Sequence, residues 1–413
     1  MQYVMQISIP YGSDHVQCSA PAGSVVLNTT EPAKSITPAL FRERLKNQLG
    51  IRSVDFTRTV IIVADKTRVC GYPEYLELLI VCLREAGLND KNLTFIIAYG
   101  THPRQSDDEC LQNYGEIYNK YPFIHHDCSD TASFVQCGTT SQNTPIRIRK
   151  DILSASCVIT MGPICHHYFA GYGGGRKLIF PGCGEKEAIY KNHSLYLNRK
   201  TGSLSPNCQP GILDNNPLAE DLFEIAQHKE ADIAIHGIMD SHGILCDVVV
   251  GSSREDYLAA CRKHGRLCES NSPAFPVVAA SCGGFPKDIN FIQSHKAVHN
   301  ASMFVEDGGT LIVFSECSDG IGSTTFLPWF DLGGFDNAFH KLIHDYQGNG
   351  GTALAMMTKT ARIRIVLVTE LDHTLCSAIG VEKWSIQQAV NHIEKLASPL
   401  CYIPNSSLLV KKQ

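Results

Sequence analysis

Three short polar clusters follow apolar, β-branched runs within a few residues, and they carry the side chains best suited to acid–base and anion chemistry. The clusters and the runs before them are Asp65-Lys66-Thr67-Arg68 after Thr59–Ala64, Gly100-Thr101-His102 after Leu93–Ala98, and His166-His167 after Cys157–Met161. Histidine gains and loses a proton near neutral pH, and arginine binds a carboxylate through two parallel hydrogen bonds. Open α/β sheets bind ligands beyond the carboxyl ends of their strands. We therefore expect the three clusters to form one site.

A glycine-rich segment, Gly171-Tyr172-Gly173-Gly174-Gly175-Arg176-Lys177, follows the third cluster. It is not a Walker A phosphate loop, because Arg176 stands where that motif has glycine and Leu178 where it has serine or threonine. It is not a Rossmann fingerprint either, since no acidic residue follows a next strand at the required distance. The segment instead predicts exposed backbone N–H groups beside two cations, which suit a nucleotide phosphate. A mobile loop without a ligand is the alternative.

Two further places carry side chains that suit a metal or a polar substrate. His193 lies 16 residues after Lys177, and a neutral imidazole there would bind a soft or borderline metal. An exposed helix histidine is the alternative. Gln293 and Lys296 are spaced i, i+3 and share one helix face, where they would hold a carboxylate or a hydroxyl. The alternative for this pair is a solvated face.

The elements that position these residues form a repeated strand–loop–helix pattern. Pro73–Ala86 has helical spacing, and such segments alternate with the three apolar strands, which predicts a doubly wound, mainly parallel sheet. Near the start, Tyr11-Gly12-Ser13-Asp14 predicts a hairpin turn. A second α/β block follows a polar linker over 266–275. We predict the α/β class, with one α/β domain over 1–270, another over 271–413, and an active-site cleft between the two domains.

Composition and charge favour a globular enzyme. The chain has 413 residues, of which 44% are hydrophobic and 19% are charged, enough for packed cores in two domains. The net charge of −5 offers no basic surface for nucleic acid or anionic membranes. The 17 cysteines include no CxxC pair, which favours scattered thiols in a reducing compartment. With no secretory signal and no apolar run long enough to cross a bilayer, we expect a soluble, cytoplasmic protein.

Taken together, these motifs resemble the nickel-dependent lactate racemase family and its wider group of 2-hydroxyacid racemases and epimerases. The resemblance runs from about residue 55 to about residue 325. It rests on Asp65-x-x-Arg68, Gly100-Thr101-His102, the segment from His167 to Lys177, Pro181-Gly182, His193, Gly284-Phe285-Pro286-Lys287-Asp288, Gln293, Lys296 and Gly320-Ile321-Gly322-Ser323. Each fragment is short, but the combined spacing is specific.

The resemblance implies a cofactor and a role for each matching position. The cofactor is a nickel-pincer nucleotide, a pyridinium mononucleotide whose ring carbon and two sulfurs bind nickel. Lys177 matches the lysine that tethers it through a thioamide, and His193 matches the protein ligand of the nickel. His102 and His167 match the two catalytic histidines. The other implied roles are cofactor binding by Asp65, Thr101, Gly173, Gly174 and Gly175 in the N-terminal domain, and substrate binding by Arg68, Gln293 and Lys296.

The resemblance also implies a reaction. Removing the α-hydrogen of a hydroxy acid as a hydride avoids a dianion-like carbanion and leaves a 2-keto acid, but no amino acid accepts a hydride. We therefore predict an isomerase that inverts C2 of a 2-hydroxy acid in the manner of a lactate racemase, with a base for each enantiomer. Separate proteins that build and load the cofactor are the implied partners. Ile292 stands where lactate-specific members tend to carry an aromatic residue, so the pocket could admit a longer substrate, and Arg176 could meet an extra polar group on it. A larger sugar acid such as gluconate is therefore the alternative substrate.

Two alternatives come from other function classes. The first is a hydroxyacid dehydrogenase that uses free NAD, although the dinucleotide fingerprint is missing. The second is a nickel-binding or nucleotide-binding protein without turnover, which would have no need of both His102 and His167.

Overall fold

The computed structural model describes residues 5–32, 34–50 and 53–413. Contacts within the chain divide it into two units. We call these two units the central unit and the C-terminal unit. The central unit consists of Glu31–Tyr196 and Asn207–Leu267, and the C-terminal unit consists of Met1–Thr30, Leu197–Pro206 and Cys268–Gln413.

The central unit is built on a six-stranded sheet whose middle strands are continuous apolar runs. All residues of Thr59–Ala64 are buried, as expected for a strand that helices cover on both faces. The order across the sheet is Leu245–Val250, Ile233–Met239, Cys157–Pro163, Thr59–Ala64, Leu93–Ala98 and Phe123–His125. Only the pairing at the Leu245–Val250 edge is antiparallel. The chain starts this sheet at Thr59–Ala64 and continues on both sides of it, so the direction of the crossovers reverses there.

The helices of the central unit begin at the expected signals. Pro73 stands in the first turn of Tyr72–Glu85, where its missing N–H costs no helical hydrogen bond. Asn216 caps Pro217–Ala226 by accepting from two backbone N–H groups. The helices are Pro38–Leu49, Tyr72–Glu85, Asp107–Tyr114, Ile117–Lys120, Lys150–Leu153, Lys186–His193, Pro217–Ala226 and Arg254–Cys268. Antiparallel pairs join Phe134–Thr139 to Pro145–Arg149 and His166–His167 to Gly171–Tyr172.

The C-terminal unit has its own six-stranded sheet, and all of its pairings are parallel. The order is Glu382–Trp384, Arg364–Val368, Val305–Phe314, Phe275–Ser281, Cys401–Ile403 and Val25–Val26. The helices are Phe291–Ser302, Phe335–His344, Gly350–Arg362, His373–Ala378 and Ile386–Glu394. Three further strand pairs complete the unit. Two are antiparallel, Met5–Tyr11 with Asp14–Ala20 and Leu197–Asn198 with Ser203–Leu204, and one is parallel, Glu269–Ser270 with Val410–Lys411. The predicted α/β class, with two units of mainly parallel sheet, is confirmed.

The division of the chain differs from the two contiguous domains predicted over 1–270 and 271–413. The hairpin at Tyr11–Asp14 forms as predicted, but its buried side chains pack in the core of the C-terminal unit. Val25–Val26 also adds a strand to that unit's sheet. An apolar hairpin can cover any sheet of matching shape, and its sequence does not indicate which one. The predicted cleft between the domains stays a prediction.

The predicted linker over 266–275 is more ordered than its polar composition suggests. Its first residues finish the helix Arg254–Cys268, and Glu269–Ser270 then pairs with Val410–Lys411 near the end of the chain. A partner that distant in sequence leaves no local signal. Among the helices of the described ranges, none combines the length and the apolar character that crossing a bilayer requires.

Candidate active site

The three polar clusters meet at the carboxyl end of the central sheet, as predicted. The strands before them are neighbours, and the crossovers reverse among them, where open α/β sheets bind ligands. A cavity of about 710 Å³, open solvent at its mouth included, lies at this place. We call it the strand-end cavity. The predicted site residues that line it are Asp65, Arg68, Thr101, His102, His167, Gly173, Gly174, Lys177 and His193.

Asp65 and His102 form a carboxylate–imidazole pair at the wall of the strand-end cavity. Nδ1 of His102 lies 2.6 Å from Oδ2 of Asp65, and it must donate, because an ionised carboxylate only accepts. The Asp65 side chain is 4% exposed and that of His102 is 44% exposed. Nε2 of the neutral His102 ring is therefore unprotonated and available as a base.

The carboxylate of Asp65 is fixed and kept ionised by its surroundings. It caps the short turn Lys66–Arg68 by accepting from the backbone N–H of Thr67 at 3.0 Å and from its hydroxyl at 2.6 Å. Burial raises the pKa of Asp65, but the hydrogen bond and charge of His102, together with Thr67 and Arg68, leave the pKa below its ordinary value. In this structure Asp65 thus orients His102, whereas the resemblance implied cofactor binding for it. That predicted contact stays a prediction.

His167 is held in the opposite tautomer. The backbone N–H groups of Phe169 and Ala170 approach its Nδ1 at 3.3 and 3.1 Å and donate to it. Nδ1 therefore carries no proton, and the single proton of the neutral ring lies on Nε2. Of the two predicted catalytic histidines, His102 is prepared to accept a proton and His167 is prepared to donate a hydrogen bond.

Lys177 brings a buried amine to the strand-end cavity. The residue is 7% exposed, and its Nζ makes no hydrogen bond with any described residue. Burial lowers the pKa of Lys177 well below the ordinary value for lysine, and the charges of Arg68 and Arg176 lower it further. A larger fraction of the Lys177 side chain is therefore in the neutral amine form, which is the nucleophilic form, than for a surface lysine.

His193 ends the helix Lys186–His193 and faces the ring of His167 edge-on, with 6.5 Å between the ring centroids. Its Nδ1 donates to the backbone carbonyl of Ile189 at 2.9 Å, so Nε2 is unprotonated. Burial lowers the pKa of His193 to about 3, and the charge of Lys177 also lowers it. A neutral imidazole whose other nitrogen is held by a carbonyl has the arrangement of a histidine metal ligand.

The glycine-rich segment is not the exposed loop that its composition predicts. Gly173, Gly174 and Gly175 are all buried, and the N–H of Gly173 already donates to the carbonyl of Cys165 at 2.7 Å. Gly175 and Arg176 line a different cavity from Gly173 and Gly174. Arg176 is therefore not placed to meet an extra group of a substrate in the strand-end cavity, which corrects that expectation. The cofactor contact of Gly175 stays a prediction.

Gln293 and Lys296 lie on the helix Phe291–Ser302 of the C-terminal unit. They share one helix face, as predicted, and Nζ of Lys296 donates to Oε1 of Gln293 at 3.1 Å. Asn290 caps this helix by accepting from the backbone N–H of Gln293 at 3.1 Å. Their substrate-binding role stays a prediction.

Gly182 positions the lysine segment, a role that sequence reasoning missed. Its N–H donates to the carbonyl of Lys177 at 2.8 Å, and its carbonyl accepts from the N–H of Gly100 at 2.8 Å. A Cβ atom at Gly182 would lie 2.5 and 2.8 Å from two carbonyl oxygens of the lysine segment. Only glycine therefore allows the lysine segment to be tied to the loop that leads to His102. The Pro181-Gly182 dipeptide was the signal available in the sequence.

Gly174 offers a test of how tightly the glycine-rich segment is packed. Its φ is +78°, and an added Cβ would lie 2.3 Å from the carbonyl oxygen of Pro163. Gly243 has a similar φ of +80° with nothing within 4 Å of the Cβ position. We expect Gly243→Ala to lower the free energy of unfolding by about 1–2 kcal/mol, and Gly174→Ala by about 1–3 kcal/mol more. Urea denaturation of both variants measures the difference, and equal losses would contradict the tight contact.

Comparisons with known proteins decide the family. A sequence model described as the lactate racemase N-terminal domain matches residues 11–204, and one described as the lactate racemase C-terminal domain matches residues 271–349. The chain belongs to the lactate racemase family. The predicted isomerase class, an enzyme of the racemase type, is confirmed with it. The first match includes every predicted residue of the strand-end cavity, and the second includes Gln293 and Lys296.

Individual relatives agree with this family. The lactate racemase of Thermoanaerobacterium thermosaccharolyticum is 27% identical over 341 residues, which cover 78% of this chain and 77% of that protein. The lactate racemase of Lactiplantibacillus plantarum is 27% identical over 269 residues, 65% of this chain and 62% of that protein.

Solved structures agree in fold. The lactate racemase apoprotein of Thermoanaerobacterium thermosaccharolyticum superposes with a TM-score of 0.86 at 23% identity, over 99% of this chain and 100% of that one. A crystal structure of a protein from Thermotoga maritima gives a TM-score of 0.69 at 15% identity, over 92% of this chain and 100% of that one.

Proposed function

We propose that this protein inverts C2 of a 2-hydroxy acid with the help of a nickel-pincer nucleotide, lactate being the leading substrate and a larger acid such as gluconate the alternative. One observation carries the proposal. The Asp65–His102 pair faces the same cavity as the buried amine of Lys177 and the cation Arg68. A base for a hydroxyl proton, a cation for a carboxylate and a point of attachment for a cofactor are what such a reaction needs together.

The residues of the strand-end cavity fit that cofactor. Nζ of Lys177 is a buried polar atom without a hydrogen-bond partner in the described chain, a costly state that attachment of a cofactor would end. The unprotonated Nε2 of His193 is the kind of borderline donor that nickel accepts. When bound, the nucleotide supplies a hydride acceptor, which no amino-acid side chain offers.

The side chains around the substrate divide the remaining work. Arg68 binds the carboxylate, and its planar guanidinium holds the α-carbon in one position. Nε2 of His102 takes the proton of the hydroxyl group, and the ionised Asp65 stabilises the imidazolium that results. Nε2–H of His167 donates to the oxygen of the substrate from its own wall of the cavity. The 2-keto acid stays bound between the two halves of the reaction through the same carboxylate contact.

The metal-ligand role of His193 has a direct test. We expect His193→Asn, produced together with the proteins that build the cofactor, to retain at least tenfold less nickel per chain after dialysis. His242→Asn is the matched control, because His242 is exposed and outside the strand-end cavity. Nickel is measured by atomic spectrometry at equal protein concentration. Unchanged nickel in the His193 variant would remove that residue from the metal site.

The reaction itself is tested by chiral analysis of the cofactor-loaded protein. Single stereoisomers of lactate, malate, 2-hydroxyglutarate, phenyllactate and gluconate are incubated separately. We expect inversion at C2 of one acid without net oxidation, which would identify the substrate at the same time. Inversion of none of these acids by a nickel-containing sample would contradict the proposal, and NADH formation matching the substrate consumed would favour a dehydrogenase.

A further inference from the structure

We propose that a second cavity of the central unit binds a small organic oxyanion, either a carboxylate or a phosphate monoester. This cavity, which we call the Arg176 cavity, encloses about 720 Å³, open solvent at its mouth included. Its polar lining includes Arg176, Lys229, His236 and Arg254, and no residue that lines the strand-end cavity lines it.

Arg176 is a permanent cation that lies against two aromatic rings. Its guanidinium carbon lies 3.8 Å from the ring centroid of Phe223 and 4.7 Å from that of Tyr257. The three guanidinium nitrogens are shielded from solvent, and none has a hydrogen bond of normal geometry to a described residue. The aromatic faces compensate part of the charge, and the hydroxyl of Tyr257 contacts the guanidinium, but one hydroxyl cannot satisfy five N–H donors. An oxyanion meets both needs, because it brings negative charge and several acceptor atoms.

His236 supplies a second buried polar group to the same cavity. The residue is 2% exposed, and its ring contacts the backbone of Gly251 but makes no hydrogen bond of normal geometry within the described chain. Burial lowers the pKa of His236 to about 4, so the neutral ring offers one N–H donor. Its ring lies 5.8 Å from that of Tyr257. Buried polar groups are nearly always well hydrogen-bonded in native proteins, and Arg176 and His236, which line one cavity, are two adjacent groups with poor partners, as expected beside a binding site.

The rim of the Arg176 cavity adds further positive charge. Lys229 uses one of its three N–H bonds on the backbone carbonyl of Ala155, at 3.3 Å, and Arg254 lies with its guanidinium carbon 4.2 Å from the centroid of Phe223. Glu230 is the one carboxylate among the lining residues. The nearby carboxylate of Asp256 is bound to the hydroxyl and N–H of Ser253. Three cations against one lining carboxylate, in a chain of net charge −5, favour an anion at this place.

The segment Gly175–Leu178 connects this cavity to the site of Lys177. Arg176 lines one cavity and Lys177, the next residue, lines the other. An anion that binds Arg176 therefore holds the turn that carries the lysine. The inference rests on the cations and the poorly hydrogen-bonded buried groups of the Arg176 cavity and does not depend on the reaction proposed above.

Binding of two simple probes tests the proposal. Inorganic phosphate and benzoate are titrated into the full-length protein by calorimetry, at constant ionic strength set with chloride. All titrations are repeated in an Arg68→Gln background, which removes the guanidinium of the strand-end cavity. We expect one saturable site with a Kd of about 1 mM or tighter for at least one probe, and the same affinity in the Arg68→Gln background.

Variants locate that site. We expect Arg176→Gln to weaken binding at least tenfold. Lys229→Gln, at the rim, is a second variant for the case that the first folds poorly, and we expect it to weaken binding about threefold. Arg58→Gln removes one positive charge from an exposed position of the central unit and is expected to change nothing. Binding of phosphate alone or of benzoate alone would identify the class of ligand. The proposal would be overturned if neither probe binds saturably to the parent protein. It would also be overturned if both the Arg176 and Lys229 variants bind with the affinity of the parent protein, or if binding is lost in the Arg68→Gln background.

Discussion

Replacing His102 with glutamine is expected to lower the turnover of the cofactor-loaded enzyme by about 10²–10⁴-fold, the usual contribution of a general base. Glutamine keeps the size and polarity of the side chain, but its amide cannot take up the hydroxyl proton. The carboxylate of Asp65 is then left without the imidazolium that it stabilises. Initial rates of inversion from each enantiomer, at saturating substrate, measure the loss. An unchanged nickel content shows that the cofactor is still bound.

His167→Gln is the matched comparison, because the structure holds the two histidines in opposite tautomers. The Nε2–H of His167 is a donor, and the amide of glutamine can replace a donor better than it can replace a base. We therefore expect a clearly smaller loss than for His102→Gln. Equal losses would mean that both histidines act as bases and that the backbone contacts of His167 rearrange when substrate binds.

Replacing Lys177 with methionine is expected to have two opposite consequences, loss of activity and gain of stability. Methionine fills the same buried space without an amine, so no covalent attachment of a cofactor is possible. The same change removes a buried amine that has no hydrogen-bond partner among the described residues. Leaving such a group unsatisfied costs about 1–3 kcal/mol. The free energy of unfolding of the cofactor-free protein should therefore rise by about that amount.

Intact-mass spectrometry and urea denaturation measure these two consequences separately. Protein produced together with the loading proteins should carry an added mass in the parent chain and none in Lys177→Met. Lys150→Met, at an exposed position, should keep the added mass and change stability by less than about 0.5 kcal/mol. An added mass that persists in the Lys177 variant would place the attachment elsewhere. A less stable variant would show that the amine is well accommodated in the cofactor-free fold.

The Asp65–His102 pair shows how far sequence reasoning reached at the site. Both residues could be selected beforehand, because each follows an apolar run that had to be a buried strand. Their direct hydrogen bond could not be predicted, since it depends on Thr59–Ala64 and Leu93–Ala98 being neighbours in the sheet. The structure for that reason adds a role for Asp65, which orients the base, and its implied cofactor contact stays a prediction.

The glycine-rich segment shows the opposite case. Its composition predicted exposed backbone N–H groups, with Arg176 and Lys177 binding the same ligand. In the fold, the carbonyl of Pro163 and neighbouring groups pack against the glycines, and Arg176 and Lys177 serve different cavities. Glycine content is equally compatible with close packing and with exposure. Only the packing around the segment distinguishes the two.

The sequence by itself determined the α/β class, the strands that precede each polar cluster and the residues gathered at the strand-end cavity. It could do so because apolar runs, helix caps and motif spacing are local properties that each segment carries with it. The tertiary structure alone decided which unit the N-terminal hairpin joins, which tautomer each histidine adopts and which cavity Arg176 lines. These depend on backbone and ring contacts between segments far apart in the chain, and their energies are set by the partner as much as by the residue itself.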